Sequence, residues 1–312
     1  MIKLKKSLAL VLAVCMILAV TACQDKNADT VEEGVKAKVN DKVITRAEYD
    51  EHLSVYKNMA EKQYGEGAWD MEISEGQTMG SYYESTLLDQ LIMDLLLVDA
   101  AEKEGITMNE EDMKAELDQF KSYLETDEEY KNFLEGYGMT EEYLKESLRK
   151  EFLINHYMAI KIENLQPTDE ELQTIFNDLK MNESIKASHI LVGTEEEAND
   201  IIERLNNGES FEELAKTLSI DTGSGANGGD LDYFKYTDMV QPFSEAAFAM
   251  EIGEISAPVQ SDYGYHIIKV TDKTVDNEVT LESEKSVLTE YYKSYKYEEL
   301  LENLKNEANI TK

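Results

Sequence analysis

Residues 185–192 read IKASHILV and residues 263–270 read YGYHIIKV, two short apolar segments that each carry one histidine. Both segments are rich in β-branched and aromatic residues, and their length is typical of strands. The first and last strands of a small sheet can lie side by side. Because the whole chain has only four histidines, two of them on such strands indicate a shared site, although either one alone would more often be a core histidine.

The residues between the two segments predict a compact α+β module at 183–273, a small antiparallel sheet flanked by helices. The pairs Thr194/Glu197 and Ser210/Glu213 have the spacing of helix-capping boxes, and each predicts a helix. The other predicted elements are a glycine-rich loop at 222–229, a strand at 231–234, a helix near 243–249, and strands at 255–260 and 264–270.

The chain on both sides of this module is predicted to be mainly helical. A hairpin at 35–44 is followed by helices, one of which carries apolar residues at helical spacing over 87–98. We expect a helical chaperone region at 35–182 and a helix in 274–312 that packs on it, which makes the module an insertion. The apolar stripes of these helices are predicted mainly to form the core. Their many Tyr and Met side chains could also line a client-binding surface.

The N-terminus has the pattern of an export signal. Lysines near the start precede an apolar run at 8–20, which is shorter than the ~20 residues that a membrane-spanning helix needs. The sequence Val-Thr-Ala-Cys at 20–23 then resembles the lipobox of bacterial lipoproteins. That resemblance implies a signal peptide at 1–22, a diacylglyceryl group on Cys23 and a tether at 23–34; the alternative is an ordinary secretory signal with an incidental cysteine. Cys15 lies in the removed segment, so no disulfide can form within the mature chain.

The composition excludes several classes of partner. The chain has 30 Lys+Arg against 65 Asp+Glu, a formal net charge of −35. Such a surface repels nucleic acid and anionic lipid headgroups, so we expect no nucleic-acid partner and a membrane contact only through the lipid on Cys23. One modified cysteine and scattered histidines do not suit a zinc or haem site. A calcium site among the carboxylates stays open, without an EF-hand loop to support it, and no cofactor is predicted.

The two histidine segments and the motifs between them resemble the parvulin family of peptidyl-prolyl isomerases. The matching pieces, in the order of the family, are SHIL at 188–191, SID at 219–221, GGDL at 228–231, MVQPF at 239–243, AAF at 246–248, GEIS at 253–256 and YGYHII at 263–268. The flanking regions are similar, less specifically, to those of foldase lipoproteins that carry a parvulin domain.

This resemblance implies the roles of seven residues. The catalytic residues would be His189, Asp221 and His266. Leu231, Met239 and Phe243 would line a proline pocket. Tyr263 would lie beside the X–Pro bond that rotates. Met239 and Phe243 could instead be plain core residues. Rotation about an X–Pro bond needs no bond made or broken, so neither a metal nor a covalent intermediate is required.

Two departures from the parvulin pattern concern the site. Asp232 stands where the family usually has glycine, which predicts a shifted strand end. The stretch from Asp221 to Leu231 is about one residue longer than the family pattern, which leaves open whether Asp221 or Thr222 faces the histidines.

The predicted function is a lipid-anchored, extracytoplasmic prolyl isomerase that assists the folding of unfolded or newly exported, proline-containing polypeptides. The alternative is a non-catalytic holdase chaperone whose parvulin domain is structural. The sequence leaves the oligomeric state open, a homodimer included.

Overall fold

The computed structural model describes residues 34–74, 76–124 and 126–312. The predicted signal peptide, Cys23 and the tether up to residue 33 lie outside these residues. Among the helices of the described residues, none combines the length and the apolar character that crossing a bilayer requires. The chain forms two compact units, here called the helical unit (the described residues up to Leu165 together with Tyr295–Lys312) and the inserted unit (Gln166–Ser294).

The helical unit begins with the predicted hairpin. Its elements are β1 Val35–Val39, β2 Lys42–Thr45, α1 Arg46–Tyr64, β3 Glu72–Ser74, β4 Gln77–Thr78, α2 Met79–Lys103, α3 Glu110–Ser122, α4 Asp127–Tyr137 and α5 Glu141–Met158. The Thr45 hydroxyl accepts a hydrogen bond from the Glu48 amide and so caps α1. Buried residues of the hairpin, Ala37 and Ile44 among them, pack against Leu87 and Leu91 of α2, which confirms the predicted apolar stripe as core.

The inserted unit contains a four-stranded antiparallel sheet in which the strands at 230–234, 183–192, 264–275 and 259–261 lie side by side in that order. Its elements are α6 Asp169–Asp178, β5 Glu183–Val192, α7 Glu195–Asn206, α8 Phe211–Leu218, α9 Thr222–Gly225, β6 Asp230–Phe234, α10 Gln241–Ala249, β7 Val259–Ser261 and β8 Gly264–Val275. Thr194 and Glu197 form the predicted capping box of α7, and Ser210 caps α8. The α+β class predicted for this part of the chain is confirmed.

Both faces of the sheet are covered. Ile190 of β5 and Ile267 of β8 pack with α7 and α8 on one face. Ala187 and Ile268 pack with Phe243 and other residues of α10 on the opposite face. Since adjacent residues of a strand point to opposite faces, the two cores fix which side chains of β5 and β8 share a side.

The last helix, α11 Leu281–Glu307, and the short strand β9 Ile310–Thr311 return the chain to the helical unit. Leu288 of α11 is buried with Leu172 and other residues of α6 in the inserted unit, whereas Leu304 packs in the helical unit. The compact units divide at 165/166 and 294/295, whereas the boundaries predicted from the sequence are 182/183 and 273/274. A helical pattern shows which face is apolar but not which partner covers each part of that face.

Other elements also differ from the sequence-based expectation. The strand expected at 255–260 is reduced to β7, and Ile255 forms only an isolated bridge with Lys269. The glycine-rich loop contains the short helix α9, because Asp221 caps the amides that follow it. Strand β9, which pairs with β1, was not predicted, since two residues are too few to show a period.

Gly229 allows β6 to start close beside β5. Its φ is +83°, and a β-carbon at this position would lie 2.2 Å from the carbonyl oxygen of His189. The His189 amide donates a hydrogen bond of 2.9 Å to the Gly229 carbonyl. A side chain here would therefore separate the two strands at the residue that the sequence singles out.

We predict that Gly229→Ala destabilises the inserted unit more than Gly208→Ala does. Both glycines have positive φ, which costs an L-residue ~1–2 kcal/mol, but a β-carbon on Gly208 meets no atom within 4 Å. The clash at Gly229 should add ~1–3 kcal/mol, the usual cost of overpacking. Amide hydrogen exchange in β5 and β8 measures the difference. Equal losses in the two variants would contradict the close approach described above.

Candidate active site

The two histidines predicted from the sequence lie in contact at the centre of the sheet. In the β5–β8 pairing, Leu191 lies opposite His266 and Ile268 lies opposite His189, so both imidazoles are on the same face. The Nδ1 atoms of His189 and His266 are 3.1 Å apart, and the rings are nearly parallel. The two residues are 6% and 5% exposed. The strand register thus produces a buried histidine pair.

Asp221 faces this pair from the start of α9. Its Oδ1 accepts a hydrogen bond from the Gly223 amide, and its Oδ2 lies 2.8 Å from Nε2 of His189. The Ser224 hydroxyl donates to the same Oδ2 at 2.5 Å. Thr222 is exposed, so the structure places Asp221, and not Thr222, against the histidines in spite of the longer loop.

These hydrogen bonds keep Asp221 ionised. The bond from Ser224, followed by the one from His189, lowers the pKa of the Asp221 carboxyl to about 2, and these contributions outweigh the opposing effect of burial. At neutral pH the carboxylate can therefore only accept hydrogen bonds.

Two serines complete the site and were missed by the sequence analysis. Ser224 lies 3.0 Å from Nε2 of His189 as well as bonding Asp221. Ser261, at the end of β7, places its hydroxyl 2.7 Å from Nε2 of His266 and accepts a hydrogen bond from the Tyr263 amide. In the sequence, Ser224 is close to Asp221 and Ser261 is close to the predicted turn between β7 and β8. Because serine is common in such loops, this position alone does not identify a site residue.

With both rings uncharged, one arrangement of protons satisfies every polar atom of this chain of contacts. The Asp221 carboxylate accepts from Nε2–H of His189, which leaves Nδ1 of that ring as an acceptor. Nδ1–H of His266 then donates to it, and Nε2 of His266 accepts from the Ser261 hydroxyl. Burial, followed by the neighbouring His189, lowers the pKa of His266 to about 4, which favours the neutral ring.

The apolar residues expected to line a proline pocket occupy three different depths. Phe243 is 2% exposed, and its ring meets the rings of His189 and His266 edge-on at 5.7 and 5.2 Å. Leu231 and Met239 are half-buried against the same core cluster. Tyr263 is 67% exposed on the β7–β8 turn. Phe243 therefore packs beneath the histidines, while Leu231, Met239 and Tyr263 present surface to the solvent.

Asp232 shows why the parvulin pattern has glycine at this position. Its φ is +54°, a left-handed conformation that glycine adopts freely and that aspartate tolerates better than most residues. Strand β6 runs through it to Phe234, and the register of β6 against β5 shifts between Lys186 and Ser188, opposite this position.

Comparison with known proteins agrees with the geometry of the site. Residues 171–274 match the family model of the PPIC-type PPIase domain, and residues 2–158 match that of the SurA-like N-terminal domain. Over 276 residues the chain is 34% identical to the foldase protein PrsA of Caldanaerobacter subterraneus subsp. tengcongensis, covering 87% of this chain and 84% of that protein. The chain belongs to the PrsA foldase family.

Other members of the PrsA family give the same result. The foldase protein PrsA of Halalkalibacterium halodurans is 38% identical over 239 residues, which cover 73% of this chain and 69% of that protein. A crystal structure of PrsA from Bacillus anthracis covers 70% of this chain at 29% identity, with a TM-score of 0.44. By the two family models, the chain is a parvulin-type peptidyl-prolyl isomerase with a SurA-like helical region, and the parvulin part is the one that the sequence motifs predicted.

We predict that His266 stays neutral down to about pH 4 in the folded protein. An imidazole in the unfolded chain titrates near 6.5, so between these values the unfolded state binds the proton first. The stability of the inserted unit should therefore be constant above pH 6.5 and fall as the pH drops from about 6.5 to about 4. An NMR titration of the imidazole, assigned with His266→Gln and repeated in urea, tests this. Titration of the folded protein near 6.5 would contradict the buried, uncharged ring.

Proposed function

We propose that this member of the PrsA family is a lipid-anchored, extracytoplasmic foldase that isomerises X–Pro bonds at the His189–His266 site. The observation that carries the proposal for the site is the continuous set of hydrogen bonds from Asp221 through both histidines to Ser261, beside the half-buried Leu231. The substrates would be proline-containing segments of newly exported polypeptides.

The chemistry of rotation determines what such a site has to supply. A barrier of ~18–20 kcal/mol arises because amide resonance is lost as the bond twists. An enzyme lowers it by binding the twisted amide more tightly than either planar form. No proton has to leave the substrate, so the residues are needed for their shape and for their fixed hydrogen-bond donors and acceptors.

The apolar residues are suited to hold the proline ring. Leu231 and Met239 would contact the pyrrolidine, with Phe243 supporting the surface beneath them. The histidine rings next to Phe243 are uncharged in the proton arrangement above, so an apolar ring can lie against them with little desolvation cost. Tyr263, on the exposed turn, would approach the bond that rotates.

The polar residues are suited to hold the histidines in one orientation. Asp221 contacts His189, and Ser261 contacts His266. We therefore assign Asp221 and Ser261 as positioning residues that fix the tautomers, and the two histidines as the residues that face the twisted amide.

We predict that His189→Ala slows isomerisation of a proline-containing tetrapeptide about tenfold or more. The change removes a ring that faces the twisted amide and takes from Nδ1 of His266 the contact that holds its ring in place, and a loss of ~1–3 kcal/mol in stabilisation of the twisted amide corresponds to about that factor. His156→Ala, at an exposed histidine of α5, is the matched control and should keep the full rate. An unchanged rate in His189→Ala would reject the assigned site. An inactive parent protein would instead favour the non-catalytic holdase.

The anchoring part of the proposal is supported by the sequence alone. The apolar run at 8–20 and the lipobox-like residues before Cys23 have the order of a lipoprotein signal. Two acyl chains on one residue would bind a membrane stably, whereas a single chain gives only marginal binding. A surface with a net charge of −35 would add repulsion from anionic lipids, so the attachment would depend on the acyl chains.

We predict that Cys23→Ser moves the protein from the membrane fraction to the soluble extracytoplasmic fraction of expressing cells. Metabolic labelling with palmitate should mark the parent and not the variant. Thr21→Ser, which keeps a small residue and the cysteine, serves as the control. Membrane retention of unlabelled Cys23→Ser would contradict lipid anchoring.

A further inference from the structure

The helical unit contains a cavity that is lined by residues outside the isomerase site. It has a volume of about 390 Å³ and is bounded by side chains of α1, α2, α3, α4, α5 and the end of α11. Every lining residue belongs to the helical unit. Asn155 of α5 is on the lining and is exposed, so the cavity reaches the surface there.

The walls of the cavity are mostly aromatic rings, aliphatic side chains and thioethers. Phe120 and Phe133 provide the rings, and Met59, Met139 and Met158 provide the sulfur atoms. Methionine sulfur makes favourable contacts with aromatic rings and adapts to different shapes. Cavities of ~150 Å³ with apolar walls hold benzene, and small-molecule sites begin at ~300 Å³. A volume of about 390 Å³ therefore accepts a fused two-ring system.

Asp94 of α2 is a half-buried carboxyl group on this apolar wall. Its carboxyl group makes no hydrogen bond or ion pair with residues 34–74, 76–124 or 126–312. Burial raises the pKa of Asp94 to about 6, and the charge of Lys150 opposes this only in part. By contrast, Asp99 of the same helix pairs with Lys42 and Lys103. Asp94 is half-buried, so part of its carboxyl group is removed from water, and it is suited to a donor that a ligand brings into the cavity.

The other groups around Asp94 favour a neutral donor over a cation. Lys150 lines the same cavity and lies 3.5 Å from Glu48, so a second cation would be repelled and would also have to lose its water. His52 lies 2.8 Å from the Tyr143 hydroxyl, and burial lowers the pKa of His52 to about 4.

Glu151, whose pKa is raised by burial and by Glu116, is a further acceptor on the lining. The indole of tryptophan is a neutral, fused two-ring group whose N–H can only donate.

We propose that this cavity binds a tryptophan side chain of an unfolded polypeptide, with the indole N–H donating to Asp94 and the rings packing among the phenylalanine and methionine side chains. The site is separate from the histidine pair and does not depend on isomerisation. It gives the helical unit a preference for one class of client segment, those that expose tryptophan.

The test uses two probes that differ mainly in one donor, indole and 1-methylindole, titrated calorimetrically into the full chain. Indole should bind about tenfold more tightly, because a hydrogen bond to a charged group is worth about that factor. In Asp94→Leu both probes should bind with equal affinity. Glu84→Leu, at an exposed acid of the same helix that does not line the cavity, should behave as the parent. Loss of the preference in Glu151→Leu but not in Asp94→Leu would overturn the assignment of the acceptor.

A second variant tests the cavity itself. Ser147→Phe places a ring into it from α5 and should abolish binding of both probes, while an unchanged helix content and thermal unfolding midpoint show that the protein is folded. An unfolded peptide with a single tryptophan should displace indole, and the same peptide with alanine should not. Indole binding that survives Ser147→Phe, no binding at millimolar indole, or tighter binding of the cation tryptamine would each overturn the proposal. None of these results depends on whether the histidine site is active.

Discussion

The register between β5 and β8 is the constraint on which the site depends. Leu191 opposite His266 and Ile268 opposite His189 put two imidazoles on one face, near enough for their Nδ1 atoms to be in contact. A slip of one residue would turn one histidine to the other face and would also expose isoleucines that are now buried. Because both faces of the sheet carry a core, the same hydrophobic packing that stabilises the domain holds the histidines together.

The site keeps the His266 ring uncharged within a strongly acidic protein. The Asp221 carboxylate is satisfied by Ser224, by a backbone amide and by His189, so it does not need a positive charge on the imidazole. Burial opposes protonation of His266 from the other side. The outcome is a surface with fixed hydrogen-bond donors and acceptors and an uncharged His266, which suits the neutral amide and the apolar ring of a prolyl peptide.

Much of this arrangement could be predicted from the sequence. The residues that could not be predicted were missed for one common reason. His189, His266 and Asp221 were found because they lie in motifs that resemble those of parvulins. Ser224 and Ser261 were missed because turn geometry, and not a periodic pattern, brings their hydroxyls to the rings. The burial of Phe243 and the division of α11 between two cores likewise depend on which other element packs against each helix face. The apolar stripes of the helices predicted a core but not the gap beside Asp94.

The short strand β9 affects the order in which the chain can fold. It pairs with β1, and Asn309 and Asn40 exchange two hydrogen bonds next to that pairing. Polypeptides emerge from the ribosome and from a secretion pore with the N-terminus first. The residues of the inserted unit are contiguous, so it can fold as soon as they have emerged. The helical unit has to wait for the final stretch of the chain, so during biogenesis the enzyme domain is ready before the unit that surrounds it in sequence.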